Sequence, residues 1–260
     1  MNLIFYFTGT GNSLDVARAL AGELGDTRLI RICHHMHPDQ FEGEFERVGV
    51  VTPVYFGGIP NMVEVFLENL TLSGTPYVFS AVTFAKDAQF APLKIRQALE
   101  PGGHTVQAEF LYPMPDNNQT KYPPTPEEKQ KALLSRVPVL AAAAGQILQK
   151  KQEHHLPMDP RASRRAKIGE RFKHLRESDK SYHTTDRCDG CGTCFTVCPA
   201  RNIAMEDGVP VWRHRCERCT ACMQFCPQGA IVYADRSLRW VRYHDPNIDI
   251  ADLVLRKPGS

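Results

Sequence analysis

Eight of the nine cysteines lie between Cys188 and Cys226, in two segments that repeat one spacing at an offset of 28 residues. The first runs Cys188-Asp189-Gly190-Cys191-Gly192-Thr193-Cys194-Phe195-Thr196-Val197-Cys198-Pro199. The second runs Cys216-Glu217-Arg218-Cys219-Thr220-Ala221-Cys222-Met223-Gln224-Phe225-Cys226-Pro227, so each fits C-x2-C-x2-C-x3-C-P. Three thiolates at three-residue spacing on a tight loop can hold three corners of an iron–sulfur cube. Structural zinc sites commonly use separated pairs of ligands, whereas each segment here carries three close cysteines, a fourth and a proline. The doubled pattern therefore favours iron–sulfur clusters over zinc. Thiolate–iron bonds would also compensate for the small core of so short a region, for which Ile203, Val209, Val211, Ile231 and Val232 are available. Pro199 and Pro227 cannot donate a backbone hydrogen bond and should help end the ligand loops.

Composition sets the frame for that reading. With 260 residues there is room for one large domain or a mid-sized domain plus a small one. Apolar residues at 42% and charged residues at 23% are ordinary for a folded protein, and a net charge of +2 gives no pointer to nucleic acid. No stretch is expected to span a bilayer. The opening Met1-Asn2-Leu3-Ile4-Phe5-Tyr6-Phe7 lacks the positive n-region and small-residue cleavage site of a signal peptide, so a cytoplasmic location is expected. In that compartment clustered cysteines bind metal rather than pair as disulfides.

The first 110 residues alternate strand and helix patterns. Asn2–Phe7, Arg47–Thr52, Tyr77–Val82 and Thr105–Leu111 read as strands, with Arg28–Ile32 as a weaker edge strand. Ser13–Leu24 and Pro92–Leu99 read as helices, and Asn61 is placed to cap a third that runs through Val63, Val65, Phe66 and Leu70. This alternation predicts a parallel sheet with helices on both faces and a binding crevice at the C-terminal strand ends. After the first strand comes Thr8-Gly9-Thr10-Gly11-Asn12-Ser13. Such a loop aims amides and hydroxyls at an anion with a helix dipole behind them. It contains no Lys or Arg and fits neither dinucleotide nor P-loop spacing, so it suits a single terminal phosphate.

From Tyr112 prolines at 113, 115, 123, 124 and 126 mark a loop. Thr125-Pro126-Glu127-Glu128 then starts a helix that should kink or break near Pro138 and may be continued by 139–152. His154–Pro160 reads as extended, Arg161–Glu177 as a basic, solvated connecting helix, and 237–260 as a poorly constrained tail in which Trp240 and Tyr243 could dock on a surface. His34-His35-Met36-His37 reads as a solvated loop and Cys33 as a small buried residue. Lys86 and Asp87 are possible proton donor and acceptor. Arg213, Arg215 and Arg218 read as ordinary surface charge, with a role in raising the potential of the second site as the alternative.

The cysteine region, over about residues 184–236, resembles bacterial-type two-cluster ferredoxins. That resemblance implies two [4Fe-4S] clusters with crossed ligation: Cys188, Cys191, Cys194 and Cys226 on one, and Cys216, Cys219, Cys222 and Cys198 on the other. The loop Thr8–Ser13 resembles the FMN phosphate loop of flavodoxins, S/T-G-T-G-N-S/T. The resemblance implies that Thr8, Thr10, Asn12 and Ser13 contact the phosphate while Gly9 and Gly11 permit its approach. It also places Pro53-Val54-Tyr55-Phe56-Gly57-Gly58 at one wall of the flavin, where Tyr55 or Phe56 could meet the ring. Thr83-Phe84-Ala85 stands at the second wall, where related proteins often have Tyr-Gly-Gly.

Taken whole, with the Met114-Pro115-Asp116-Asn117 stretch included, the chain is similar to the EFR-type ferrodoxin family of flavodoxin–ferredoxin fusions. The fold implied is α/β, a flavodoxin-like doubly wound five-stranded parallel sheet of order 2-1-3-4-5 with a small C-terminal α+β ferredoxin domain. The domains implied are 1–152, a connecting segment 153–183, a ferredoxin domain 184–236 and a tail 237–260. The function implied is single-electron transfer between the clusters and FMN, with a ferredoxin-like donor or an acceptor enzyme as redox partner. Reduction of a small organic molecule at the flavin and redox sensing through segment 161–180 are the alternatives.

Overall fold

The computed structural model describes residues 1–34, 36, 41, 43–157 and 179–254. The chain divides into two compact units. The first comprises residues 1–8, 13–115 and 127–173, and the second 9–12, 116–126 and 174–260. This division cuts across the expected boundaries, because the loop after the first strand, the proline-rich loop and the tail group with the cysteine segments. The expected basic helix, 161–177, lies outside the described residues.

In the first unit, β1 (Asn2–Tyr6), β2 (Thr27–Arg31), β3 (Arg47–Pro53), β4 (Tyr77–Phe84) and β5 (Val106–Pro113) form one sheet of order β2-β1-β3-β4-β5. All pairs are parallel, and Phe5 lies opposite Ile30 on one side and Val50 on the other. This is the flavodoxin-like topology the resemblance implies. Every residue of β1 is buried, as the near-continuous apolar runs of covered parallel strands require. Phe5, Phe41 and Phe66 pack edge to face, with centroids 4.8 Å apart for Phe5–Phe41 and 5.0 Å for Phe5–Phe66.

The helices α1 (Asn12–Leu24), α2 (Asn61–Glu68) and α3 (Ala91–Leu99) connect the strands. Asn61 is not the cap of α2. Pro60 holds that position and its carbonyl accepts the Val63 and Glu64 N–H groups at 3.0 and 3.1 Å, so Asn61 becomes the first helical residue. Asn69 closes the other end through Nδ2 to the Val65 carbonyl at 2.8 Å.

The break near Pro138 is present: α4 (Glu127–Leu134) stops before α5 (Val137–Gln149), whose second residue is the proline. Glu127–Gln149 is long enough to cross a membrane and contains an 18-residue window of mean hydropathy 1.3, where the sequence reading expects no such stretch; 28% of that window is buried. Within it α5 buries Val137, Ala141, Ala144, Gly145 and Leu148. Arg47, at the start of β3, donates to the Leu148 and Gln149 carbonyls at 2.8 and 3.0 Å, placing a cation on the negative end of α5. Beyond α5, His154 bridges to Ala108 alongside β5 and stacks on Phe110.

In the second unit, β6 (Tyr182–Thr184) pairs antiparallel with β9 (Ile231–Tyr233), and β7 (Ile203–Glu206) pairs with β8 (Val209–Trp212) across an Asp207-Gly208 turn. Both turn residues have positive φ, as a two-residue hairpin loop requires. Ile203, Ile231 and Val232 are buried as expected, but Val209 is 44% exposed beside the turn and is not core. The described part of the tail, 237–254, is not loosely held either. Tyr243, Asp245, Ile248 and Leu253 are each at most 3% exposed, and a capping box of Asp249 and Asp252 starts the helix Ile250–Leu253. The buried residues there follow no helix or strand period, so no periodicity announces their burial.

One buried carboxylate organises the end of β5. Glu109 is fully buried, pairs with the Arg96 guanidinium and accepts the Leu156 N–H at 3.0 Å. Arg96 remains 29% exposed, which screens the pair. Glu109→Ala strands both donors and is expected to destabilise the first unit by about 2–4 kcal/mol, read from urea unfolding.

Candidate cofactor-binding sites

The cysteine segments are built as two copies of one backbone path. Gly190 and Arg218 both have left-handed φ, as do Gly192 and Thr220, and Arg201 and Gly229. Each pair is separated by the 28-residue offset of the sequence repeat. Gly192 and Thr220 each precede a short helix, Thr193–Val197 and Ala221–Gln224, that carries the third cysteine. Sulfur acceptors repeat as well: the Asn202 N–H donates to Cys198 Sγ and the Ala230 N–H to Cys226 Sγ, both at 3.3 Å. The Arg218 N–H adds a bond to Cys216 Sγ at 3.2 Å.

The fourth cysteine of each segment lies with the first three of the other. Cys198, Cys216, Cys219 and Cys222 line one concavity, beside Tyr182, Ile203 and Trp212. Burial pushes the Cys222 thiol well up, and the sulfurs of Cys216, Cys219 and Cys198 push it further. Burial raises Cys194 to about 11, and there the neighbouring sulfurs are Cys226, Cys188 and Cys191. Burial also raises Cys216 to about 12. Among the described residues no three His, Cys, Asp or Glu side chains are grouped for a single ion, whereas a four-iron cube sets its thiolates around a larger body. No disulfide joins any of the nine cysteines. The donor set fits iron–sulfur clusters.

A buried carboxylate that the sequence reading missed supports this region. Asp179 is 1% exposed, and its oxygens accept from Asn202 Nδ2 at 2.8 Å and the His214 N–H at 3.0 Å, with His214 Nδ1 at 2.7 Å. Asn202 is in turn the residue whose N–H reaches Cys198. Of the three arginines near the second segment, Arg213 pairs with Glu206, and Arg218 lies over the Tyr233 ring at 5.6 Å. Both are engaged within the domain surface.

The loop Thr8–Ser13 leaves the end of β1 and is buried throughout. Gly11 has φ of +103°, and a Cβ there would lie 2.7 Å from that of Asp245, so only glycine fits. Ser13 Oγ and Thr83 Oγ1 share a hydrogen bond of 2.8 Å, joining the start of α1 to the end of β4. Arg31, at the end of β2 and 9% exposed, donates to the Thr8 carbonyl at 3.4 Å, a cation the loop itself lacks.

At the end of β3, Val54 continues the ladder by donating to the Thr83 carbonyl at 2.9 Å. Tyr55 and Gly58 then exchange backbone bonds of 2.9 and 3.0 Å around a turn that holds Phe56 at φ +52° and Gly57 at φ +85°. A Cβ on Gly57 would lie 2.6 Å from the Phe90 ring. Tyr55 is half-buried, edge-on to Phe7 at 6.0 Å, while Phe56 is 53% exposed. Of the two aromatics, Phe56 is the more exposed. On the next strand Thr83 is buried and Phe84 half-buried, while Ala85, Lys86 and Asp87 are exposed. The hydroxyl, amide and glycine residues of the loop suit the phosphate of a flavin.

Comparison with known proteins agrees on the two halves. Residues 3–121 match the flavodoxin domain family, and residues 178–231 match the 4Fe-4S dicluster domain family. No curated protein matches the chain. Among solved structures, two-electron reduced flavodoxin from Megasphaera elsdenii shares 21% identity at a TM-score of 0.38, covering 56% of this chain and 99% of its own. A flavodoxin from the domain Archaea shares 17% at 0.36, covering 56% and 99%. The rubredoxin oxygen:oxidoreductase of Desulfovibrio gigas shares 18% at 0.36; the match covers 58% of this chain and 36% of the length of that enzyme. At these identities the likeness is one of fold alone. The N-terminal stretch of the chain is thus similar to the flavodoxin domain family, and the cysteine region to the 4Fe-4S dicluster domain family.

Proposed function

We propose that the protein transfers single electrons between two [4Fe-4S] clusters and FMN, and onward to a redox partner protein. The observation that carries this reading is the crossed grouping of sulfurs, with Cys198 beside Cys216, Cys219 and Cys222 around one concavity. One cluster is assigned to those four, and the other to Cys188, Cys191, Cys194 and Cys226. FMN accepts two electrons and releases them singly, while each cluster exchanges one.

Thr8, Thr10, Asn12 and Ser13 are assigned to the FMN phosphate, with Gly9 and Gly11 giving it room. Pro53–Gly58 and Thr83–Ala85 are assigned to the ring, Phe56 being the aromatic with exposed surface. Fusion of the domains replaces a bimolecular encounter by an intramolecular one. Electron transfer of this kind asks no side chain to act as acid or base, and none is assigned that role. Clustered cysteines given over to iron–sulfur ligation suit a reducing compartment.

Anaerobic reconstitution is expected to give about eight iron and eight sulfide per chain and about one FMN, all bleached by stepwise reduction. Cys222→Ser should reduce the iron to about four while sparing the flavin. Zinc without sulfide would refute the cluster assignment. Separately, Thr10→Ala with Asn12→Ala should weaken FMN binding by about 30-fold or more at unchanged iron content, measured by equilibrium dialysis. Unchanged FMN binding would refute the flavin assignment.

A further inference from the structure

Thr and Asn side chains each carry both donors and acceptors. A loop that binds an anion must present them as donors, so their acceptor atoms have to be satisfied by the protein. Within the second unit two residues remote in sequence do this for the loop Gly9–Asn12. Asn117 Nδ2 donates to Thr10 Oγ1 at 2.8 Å, which directs the hydroxyl proton elsewhere. The Tyr243 hydroxyl donates to Asn12 Oδ1 at 2.7 Å, which fixes the orientation of the amide and leaves N–H as what Asn12 offers.

Both helpers are held by the second cysteine segment. The Asn117 carbonyl accepts from Thr220 Oγ1 at 3.2 Å and from Gln224 Nε2 at 3.1 Å. Gln224 Oε1 accepts the Tyr243 N–H at 3.0 Å. Thr220 lies between Cys219 and Cys222, and Gln224 between Cys222 and Cys226; both are at most 3% exposed. The nearby Asp245 donates its N–H to the Thr10 carbonyl at 2.8 Å, and its Oδ1 accepts the Asn247 N–H at 3.0 Å.

We propose that Asn117 and Tyr243 are positioning residues of the phosphate cradle, holding Thr10 and Asn12 as hydrogen-bond donors from a platform on the second cysteine segment. This rests on the reading that the loop takes the FMN phosphate. The effect is specific to the phosphate, because neither residue is assigned to the ring.

The test is equilibrium dialysis of the cluster-loaded full chain against FMN and against riboflavin, which has the ring but no phosphate. Tyr243→Phe removes one hydroxyl and Asn117→Ala one amide. Each is expected to weaken FMN by about 5- to 30-fold and to leave riboflavin unchanged. Asn117→Asp, which replaces the donor by a charged acceptor, should lose more. If both single variants bind FMN within about twofold of the parent while Thr10→Ala does not, the proposal is overturned and the flavin reading stands. Equal losses for FMN and riboflavin would mean a general structural role and also overturn it. A parent protein with no preference for FMN over riboflavin would overturn the flavin reading itself, and this proposal with it.

Discussion

β1 is the strand on which the first unit depends. It is paired on both edges and buried along its whole length, so each of its backbone polar groups has to be met by β2 or β3. A one-residue slip would move Phe5 off its partners Phe41 and Phe66 and turn its apolar side chains to the opposite face. Register is therefore tightly specified, and with it the point at which the chain leaves the sheet. That exit is Thr8–Ser13, beside the topological switch point between β1 and β3 where open α/β sheets bind ligands.

The second unit works under a different constraint. Its strands are three or four residues long, and its apolar interior is correspondingly small. Directional bonds carry much of its organisation. Asp179 gathers Asn202 and His214, and Asn202 passes that order to Cys198 and, through Oδ1, to the Arg215 N–H. Each such bond is modest when formed and costly when a buried group is left unpaired. The raised thiols describe the same environment: low dielectric disfavours bare thiolates, which is a setting in which metal bonds replace protons.

Local periodicity was legible in the amino-acid sequence, and long-range hydrogen bonding was not. The βα alternation, the break before Pro138 and the doubled cysteine spacing are patterns within a few residues, and each corresponds to an element found in the structure. The phosphate-type loop was readable because glycine and hydroxyl residues follow a strand directly. By contrast, Asn117 meets Thr10 across 107 residues and Tyr243 meets Asn12 across 231, and nothing in either neighbourhood marks a partner so distant. The tail reads as unconstrained for the same reason, since its buried residues Tyr243, Asp245, Ile248 and Leu253 follow no helix or strand period. Val209 shows the opposite failure: a β-branched residue next to a tight turn has strand propensity but no neighbour to cover it.

The two cysteine loops, alike in spacing, differ in how they meet the same left-handed backbone. The first uses Gly190 and Gly192, for which that conformation is easy. The second imposes it on Arg218 and on the β-branched Thr220, which pay in torsional energy at those positions. Glycine can enter the second loop with relief of strain, although at Thr220 it would forfeit the bond to Asn117. Any side chain entering the first loop at Gly190 meets the Gly208 carbonyl at 3.0 Å as well as an unfavourable φ. The third left-handed position runs the other way, with Arg201 after the first loop and Gly229 after the second, so each half carries torsional strain where its counterpart has glycine.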